Sequence, residues 1–186
     1  MKKKKGVTLI EILVAMILMV IMMVAFSNVY IFSMKTYGEQ FVQTRLSSEA
    51  ETLVDRISTD INLAQGVEGT YSTYTTSQTT IILLVPAIDA SQNFIYSNGV
   101  IASDRIIYYK VGTNLHRIIY AINNSARFSQ NGQDAILSKL VTGLTFTYDP
   151  DMVSPVKVTT SITVSQKAGK KTQNITVTGK SGLRNN

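Results

Sequence analysis

The chain has 186 residues, no cysteine, a single histidine and a formal net charge of +6. Without cysteine there is no disulfide framework and no thiol-based metal or redox chemistry. The charge excess is local: Lys2 to Lys5 supply four of the 18 basic residues against 12 acidic ones, leaving +2 on the side chains once they are removed, so a general nucleic-acid role loses its main support.

Gly6 follows the lysines, then Val7-Thr8-Leu9-Ile10-Glu11, then a run with no further charge before Lys35. Every residue from Ile12 to Phe26 is apolar. As helix, Ile12 to Phe32 spans about 31 Å, enough for a bilayer core of roughly 30 Å. One crossing is expected, with the lysines holding the N-terminus in the cytoplasm and the remainder exported. In a secretory signal the small-residue cleavage site lies after the apolar segment. Here Gly6 precedes it, so the apolar segment survives processing.

The helical period continues past the apolar run. Val42, Leu46, Ala50, Leu53, Ile57, Ile61 and Ala64 recur every three or four residues, with Gln43, Arg45, Glu49, Glu51, Asp55, Arg56 and Asp60 between them. This is an amphipathic helix with one buried face. No proline occurs before Pro86, and Gly38 is the only glycine between Gly6 and Gly66. A single helix from Val7 to Ala64 would therefore run roughly 87 Å, ended by Gly66 and Gly69.

Period-two patterning follows. Thr79 to Val85 reads as a strand stopped by Pro86, and Arg105 to Val111 and Leu115 to Ala121 read as a hairpin turning at Gly112-Thr113-Asn114. Leu144, Phe146 and Tyr148 share one face of a further strand, and Val156, Val158, Thr160, Ile162 and Val164 share one face of the next. Gln166 to Lys171 reads as a polar connection, with Ile175 and Val177 on one face of the last strand. Tyr71 to Thr80 and Ala90 to Gly99 read as polar surface connections with room for short edge strands. The expected fold is α+β: a long N-terminal helix, transmembrane in its first half, packed by its second half on one antiparallel sheet whose other face is wet. The expected divisions are a basic leader 1–6, a transmembrane or filament-core helix 7–33, its amphipathic continuation 34–65, and a sheet domain 66–186. After the apolar part is set aside, about 150 residues remain, room for one globular domain.

Glu11 is the residue that demands a purpose. A charge in hydrocarbon costs about 2.5 to 3.5 kcal/mol on insertion scales, so an intramembrane acid is expected to have a partner. A cut between Gly6 and Val7 would create an amino group about one turn from Glu11, or within reach of Glu11 on a neighbouring subunit. Such pairing would offset desolvation and fix the axial stagger between subunits.

Enzymatic machinery is not expected. His116 reads as a partly exposed strand residue, no nucleophile motif or nucleotide-binding loop is present, and Asp134, Asp149 and Asp151 are spread through expected loops, so no metal or cofactor site is placed. Arg105 and Arg117 read as surface charge or salt-bridge partners on paired strands. From Met152 onward the chain carries Lys157, Lys167, Lys170, Lys171, Lys180 and Arg184 and no Asp or Glu. Aromatic platforms for single strands are not interleaved there, so a wet face beside an acidic neighbour is preferred over nucleic acid as the partner.

The segment from Lys2 to Glu11 resembles the processing motif of the type IV pilin and type II secretion pseudopilin class. The resemblance implies that a prepilin peptidase cuts after Gly6, that the new first residue, Val7, is N-methylated, and that Glu11 guides packing. Val7 stands where Phe is commoner. Leu53 to Ala64, Asp104 to Tyr109 leading to Leu115-His116-Arg117, and Leu183-Arg184-Asn185 resemble the minor PilW-like or GspJ-like branch. That branch implies a minor subunit of a pilus or pseudopilus, or of a competence or adhesion pilus, that primes assembly near the tip. The implied partners are other pilin or pseudopilin subunits, the prepilin peptidase, an inner-membrane assembly platform and, before assembly, membrane lipid. The implied location is the bacterial inner membrane and then the filament.

Overall fold

A computed structural model of the chain describes residues 8–169 and 171–184. The helix α1 spans Leu9–Leu63. It is followed by β1 (Gly66–Val67), β2 (Thr70–Tyr71), β3 (Tyr74–Thr75), β4 (Thr80–Pro86), β5 (Tyr96–Ser97), β6 (Val100–Ile101), β7 (Ser103–Val111), β8 (Asn114–Tyr120), a short 3-10 turn at Phe128–Gln130, β9 (Asp134–Ser138), β10 (Val141–Asp149), β11 (Lys157–Ala168) and β12 (Lys171–Gly182). One long N-terminal apolar helix thus precedes antiparallel sheets. By contacts the chain divides into two units, Met1–Phe41 and Val42–Asn186.

In the first unit, the part of α1 up to Phe41 carries its large apolar side chains exposed, Leu9 at 81% and Phe26 at 72% among them. The helix is long and apolar enough to cross a membrane. Two of its hydroxyls are satisfied locally: Ser27 Oγ donates to the Met23 carbonyl at 2.8 Å and Thr36 Oγ1 to the Phe32 carbonyl at 3.0 Å. Back-bonding of this kind lets a polar residue sit in an apolar helix without an unsatisfied donor.

In the second unit, Leu46, Ala50, Leu53, Val54, Ile57 and Ile61 of α1 are buried, the face expected from the three-four spacing with Val54 added. They form one core with Ile81, Leu83, Ile106 and Tyr108 from one sheet and Leu144, Phe146, Val158 and Ile162 from another. The helix does not end at a glycine cap. The Ala64 N–H already bonds the Ile61 carbonyl in a tightened last turn, and the Gln65 N–H is captured by the Leu84 carbonyl at 2.8 Å. Gly66 then pairs with Leu84 inside β1. The expectation that Gly66 and Gly69 stop the helix is therefore corrected: strand pairing with β4 stops it.

The strands form two principal sheets rather than the single sheet expected, one of five strands ordered β1-β4-β7-β8-β9 and one of three ordered β10-β11-β12, with two small hairpins. Alternation along a strand reports which face is buried but not which edges meet, so the split is not visible in the pattern. β7 and β8 form the expected hairpin, closing at Val111↔Asn114 with Gly112 at φ +59°. The stretch read as a polar connection from Gln166 to Lys171 is instead paired strand, since Gln166↔Gln173 and Ala168↔Lys171 continue the ladder. Only Gly169, at φ +62°, serves the turn among the described residues there.

A further correction concerns the wet face. The three-stranded sheet has one: its outer side shows Thr145, Thr147, Thr159, Ser161 and Thr163 as exposed or half-buried. The five-stranded sheet does not. Its second face carries Ile82, Ile107 and Ile118, buried beneath Tyr71, Tyr74, Tyr109 and Tyr120. Tyr71 and Tyr74 come from the β2–β3 hairpin, in the stretch expected to be a surface connection; two phenol rings make that hairpin a lid.

Candidate assembly site at the start of the helix

Thr8 lies just outside α1, and Glu11 occupies its first turn. The Thr8 backbone N–H donates to Glu11 Oε2 at 2.8 Å and the Thr8 hydroxyl donates to the same oxygen at 3.1 Å. In return the Glu11 N–H approaches Thr8 Oγ1 at 3.4 Å and also bonds the Thr8 carbonyl at 3.1 Å. This is a capping box, in which the cap residue and the acid three positions on satisfy each other's free donors. A carboxylate is also favoured there by the positive end of the helix dipole.

The box changes what the acid can do. One Glu11 oxygen is engaged by Thr8, so the carboxylate is held over the helix end rather than extended along its flank. Oε1 takes part in neither Thr8 contact. The sequence reading identified Glu11 but not Thr8. The signal was present as Thr-x-x-Glu directly before an apolar run. Gly6 and Val7 lie outside the described residues.

The other chemically capable side chains are used to hold the second unit together. Asp60 of α1 accepts from the Tyr108 hydroxyl at 2.5 Å and from Arg117 Nε at 3.0 Å. Burial, reinforced by the facing Asp60 carboxylate, pushes the Tyr108 phenol far above its ordinary value. Glu49 of α1 accepts from the Ser138 hydroxyl. Arg105 forms a two-pronged pair with Glu68 at 2.6 and 3.2 Å and lies over the Tyr71 ring. Asp104 is fully buried and accepts from the Ile122 N–H, the Ser125 hydroxyl and Arg127. Arg105 and Arg117 are thus salt-bridge partners.

His116 is half-buried, stacked on Tyr109 at 4.9 Å, with Nδ1 3.0 Å from the Asp134 carboxylate. Asp134 opens β9 and Asp149 closes β10, so neither sits in a loop as expected. Asp151 is spent on the Val153 and Ser154 N–H groups. Among the described residues no group of three or more His, Cys, Asp or Glu side chains could hold a metal.

Residues 1–27 match the model of the prokaryotic N-terminal methylation motif. Over these residues the chain is similar to the N-terminus of type IV pilin-class subunits. Neither a curated protein nor a solved structure matches it. For a pilin-class chain the motif implies processing by a prepilin peptidase and assembly with other pilin subunits. It implies a structural subunit rather than an enzyme, anchored in the membrane by its apolar helix.

Proposed function

We propose that the protein is a minor subunit of a type IV pilus-like or pseudopilus filament, cut after Gly6 and built in through its N-terminal helix. The observation that carries this reading is the coincidence of the methylation motif over residues 1–27 with a helix whose large apolar side chains are exposed from Leu9 to Phe41. Exposed apolar surface of this extent has to be covered. Lipid covers it before assembly and the helices of neighbouring subunits cover it afterwards. The leader 1–6 stays on the cytoplasmic side, the segment 7–33 crosses the membrane, and the sheet domain is exported. The PilW-like and GspJ-like resemblance supports a minor role near the tip, recruited by an inner-membrane assembly platform.

In this reading Glu11 has two successive duties. Before the cut it closes the capping box with Thr8. After the cut, the amine of Val7, on the same or an adjacent subunit, meets Glu11 and neutralises it in the filament core. That pairing sets the axial stagger. Two measurements test the proposal. Mass spectrometry of the mature protein should find Val7 at the N-terminus, and an intact Met1 or a cut beyond Phe32 would refute it. Purified filaments should contain the wild-type chain and lack Glu11→Ala, which should still insert and be cleaved.

A further inference from the structure

The last strand of the chain ends the three-stranded sheet and has no neighbour on its outer side among the described residues. Its register with β11 runs from Lys157↔Gly182 to Ala168↔Lys171 with no shift, so β12 is a regular edge of 12 residues. The phase of its hydrogen bonds follows from one contact. Leu183 N–H donates to the Val156 carbonyl, so the odd-numbered residues of β12 exchange bonds with β11. The even-numbered ones, Thr172, Asn174, Thr176, Thr178 and Lys180, direct both N–H and C=O off the sheet.

The other edges of the two principal sheets are dealt with. β1 has two residues, β9 has five and a register shift against β8, and β10 is tied along its free side by the Phe146 N–H to the Gln78 carbonyl. Long edges are normally blunted by proline, bulges or a central charge. From Thr172 to Thr178 the β12 edge has none of these, and its composition, Thr-Gln-Asn-Ile-Thr-Val-Thr, is suited to pairing. The inner side is locked: a Cβ on Gly179 would lie 2.5 Å from Val54 Cγ1, so β12 sits tightly on α1 and the edge is held in place.

Charge identifies the occupant. Lys157, Lys167 and Lys180 are exposed around this edge, and no acid occurs from Met152 onward. A second copy pairing β12 to β12 would bring two positive edges together. We propose that β12 accepts an extended segment, rich in acidic side chains, from a partner polypeptide of different sequence, which adds a fourth strand to the sheet. The inference deepens the filament-subunit reading and rests on it: it names a contact by which the exported domain grips a neighbour.

The test uses the full chain in its own cells. A photo-crosslinking amino acid replaces Thr176 on the edge or, as control, Thr163 on the outer side of the central strand. The expected result is an adduct with a different polypeptide that is at least about tenfold stronger from position 176 than from 163. Thr176→Pro removes an outward N–H and the hydroxyl contact with Thr163 Oγ1 at 2.8 Å, leaves the backbone ladder with β11 intact, and should abolish an adduct formed from position 178. Resistance to limited proteolysis should match that of the parent chain. Asn174→Pro, judged by the same two readouts, replaces it if that resistance is lost. No adduct, equal adducts from 163 and 176, an adduct joining two copies of this chain, or an adduct surviving the proline variant would each overturn the proposal. Absence of the unmodified chain from filaments would instead overturn the subunit reading.

Discussion

The Tyr108 hydroxyl donates to the Asp60 carboxylate at 2.5 Å, joining the middle of the five-stranded sheet to the helix residues that cover it. Arg117 on the adjacent strand β8 closes the triangle, with Nη2 3.0 Å from the same carboxylate. Both charged side chains are largely buried, at 11% and 13% exposure, so the pair is far from the solvent-screened kind. Asp60→Ala leaves a buried guanidinium and a buried phenol without their acceptor. The expected loss is about 3 to 5 kcal/mol, the cost of breaking a buried pair from one side. Urea unfolding of residues 42–186, the compact second unit, measures it.

Alkaline pH should unfold the domain through its buried phenols. Burial raises the Tyr108 and Tyr148 phenols well above the ordinary tyrosine value. Below pH of about 10 the folded and unfolded chains both keep these protons, and stability is unaffected. Above it the unfolded chain releases them while the folded chain holds them, so stability falls as pH rises. Tyr148 donates to the Ser77 and Thr80 carbonyls, and Tyr148→Phe removes its phenol. The variant should lose less stability than the parent between neutral and strongly alkaline pH, measured as the change in urea midpoint.

Gly179 is needed for the close approach of β12 to α1. A Cβ there meets Val54 Cγ1 at 2.5 Å and Ser58 Oγ at 3.1 Å. Valine has little rotamer freedom in a helix, so it cannot swing aside. Gly179→Ala should cost about 1 to 3 kcal/mol through overpacking. Val54→Ala added to it should recover part of that loss, and a double-mutant cycle should show the two sites coupled.

Glu11→Gln separates the two duties assigned to Glu11. An amide can still accept from the Thr8 N–H and close the capping box, but it offers no charge to a neighbouring amine. The start of the helix should stay as protected in amide exchange as in the parent, in detergent micelles, while filament incorporation falls as it does for Glu11→Ala. Normal incorporation of the Gln variant would assign Glu11 to capping alone.

The α+β class was legible because two periods are written along the chain. Leu46, Ala50, Leu53, Ile57 and Ile61 repeat at helical spacing, Val158, Ile162 and Val164 at strand spacing, and both sets are buried. Glu11 was legible because one charge stands alone in an apolar stretch. Thr8 is equally readable as the first residue of Thr-x-x-Glu, which places a donor for Glu11 three residues back in the same chain.

Composition and spacing are properties of the sequence alone, and they were sufficient for the anchor, the helix and the buried stripe, because hydrophobic burial follows from which residues recur on one face. Pairing depends on which edges meet in space. That is why only the tertiary structure could divide the strands into sheets of five and three, turn Tyr71 and Tyr74 into a lid over Ile107, end α1 by the capture of Gln65 on Leu84, and leave β12 as the open edge. Backbone hydrogen bonds are the same for every residue type, so their partners are chosen by the folded arrangement and leave no mark in the order of the side chains.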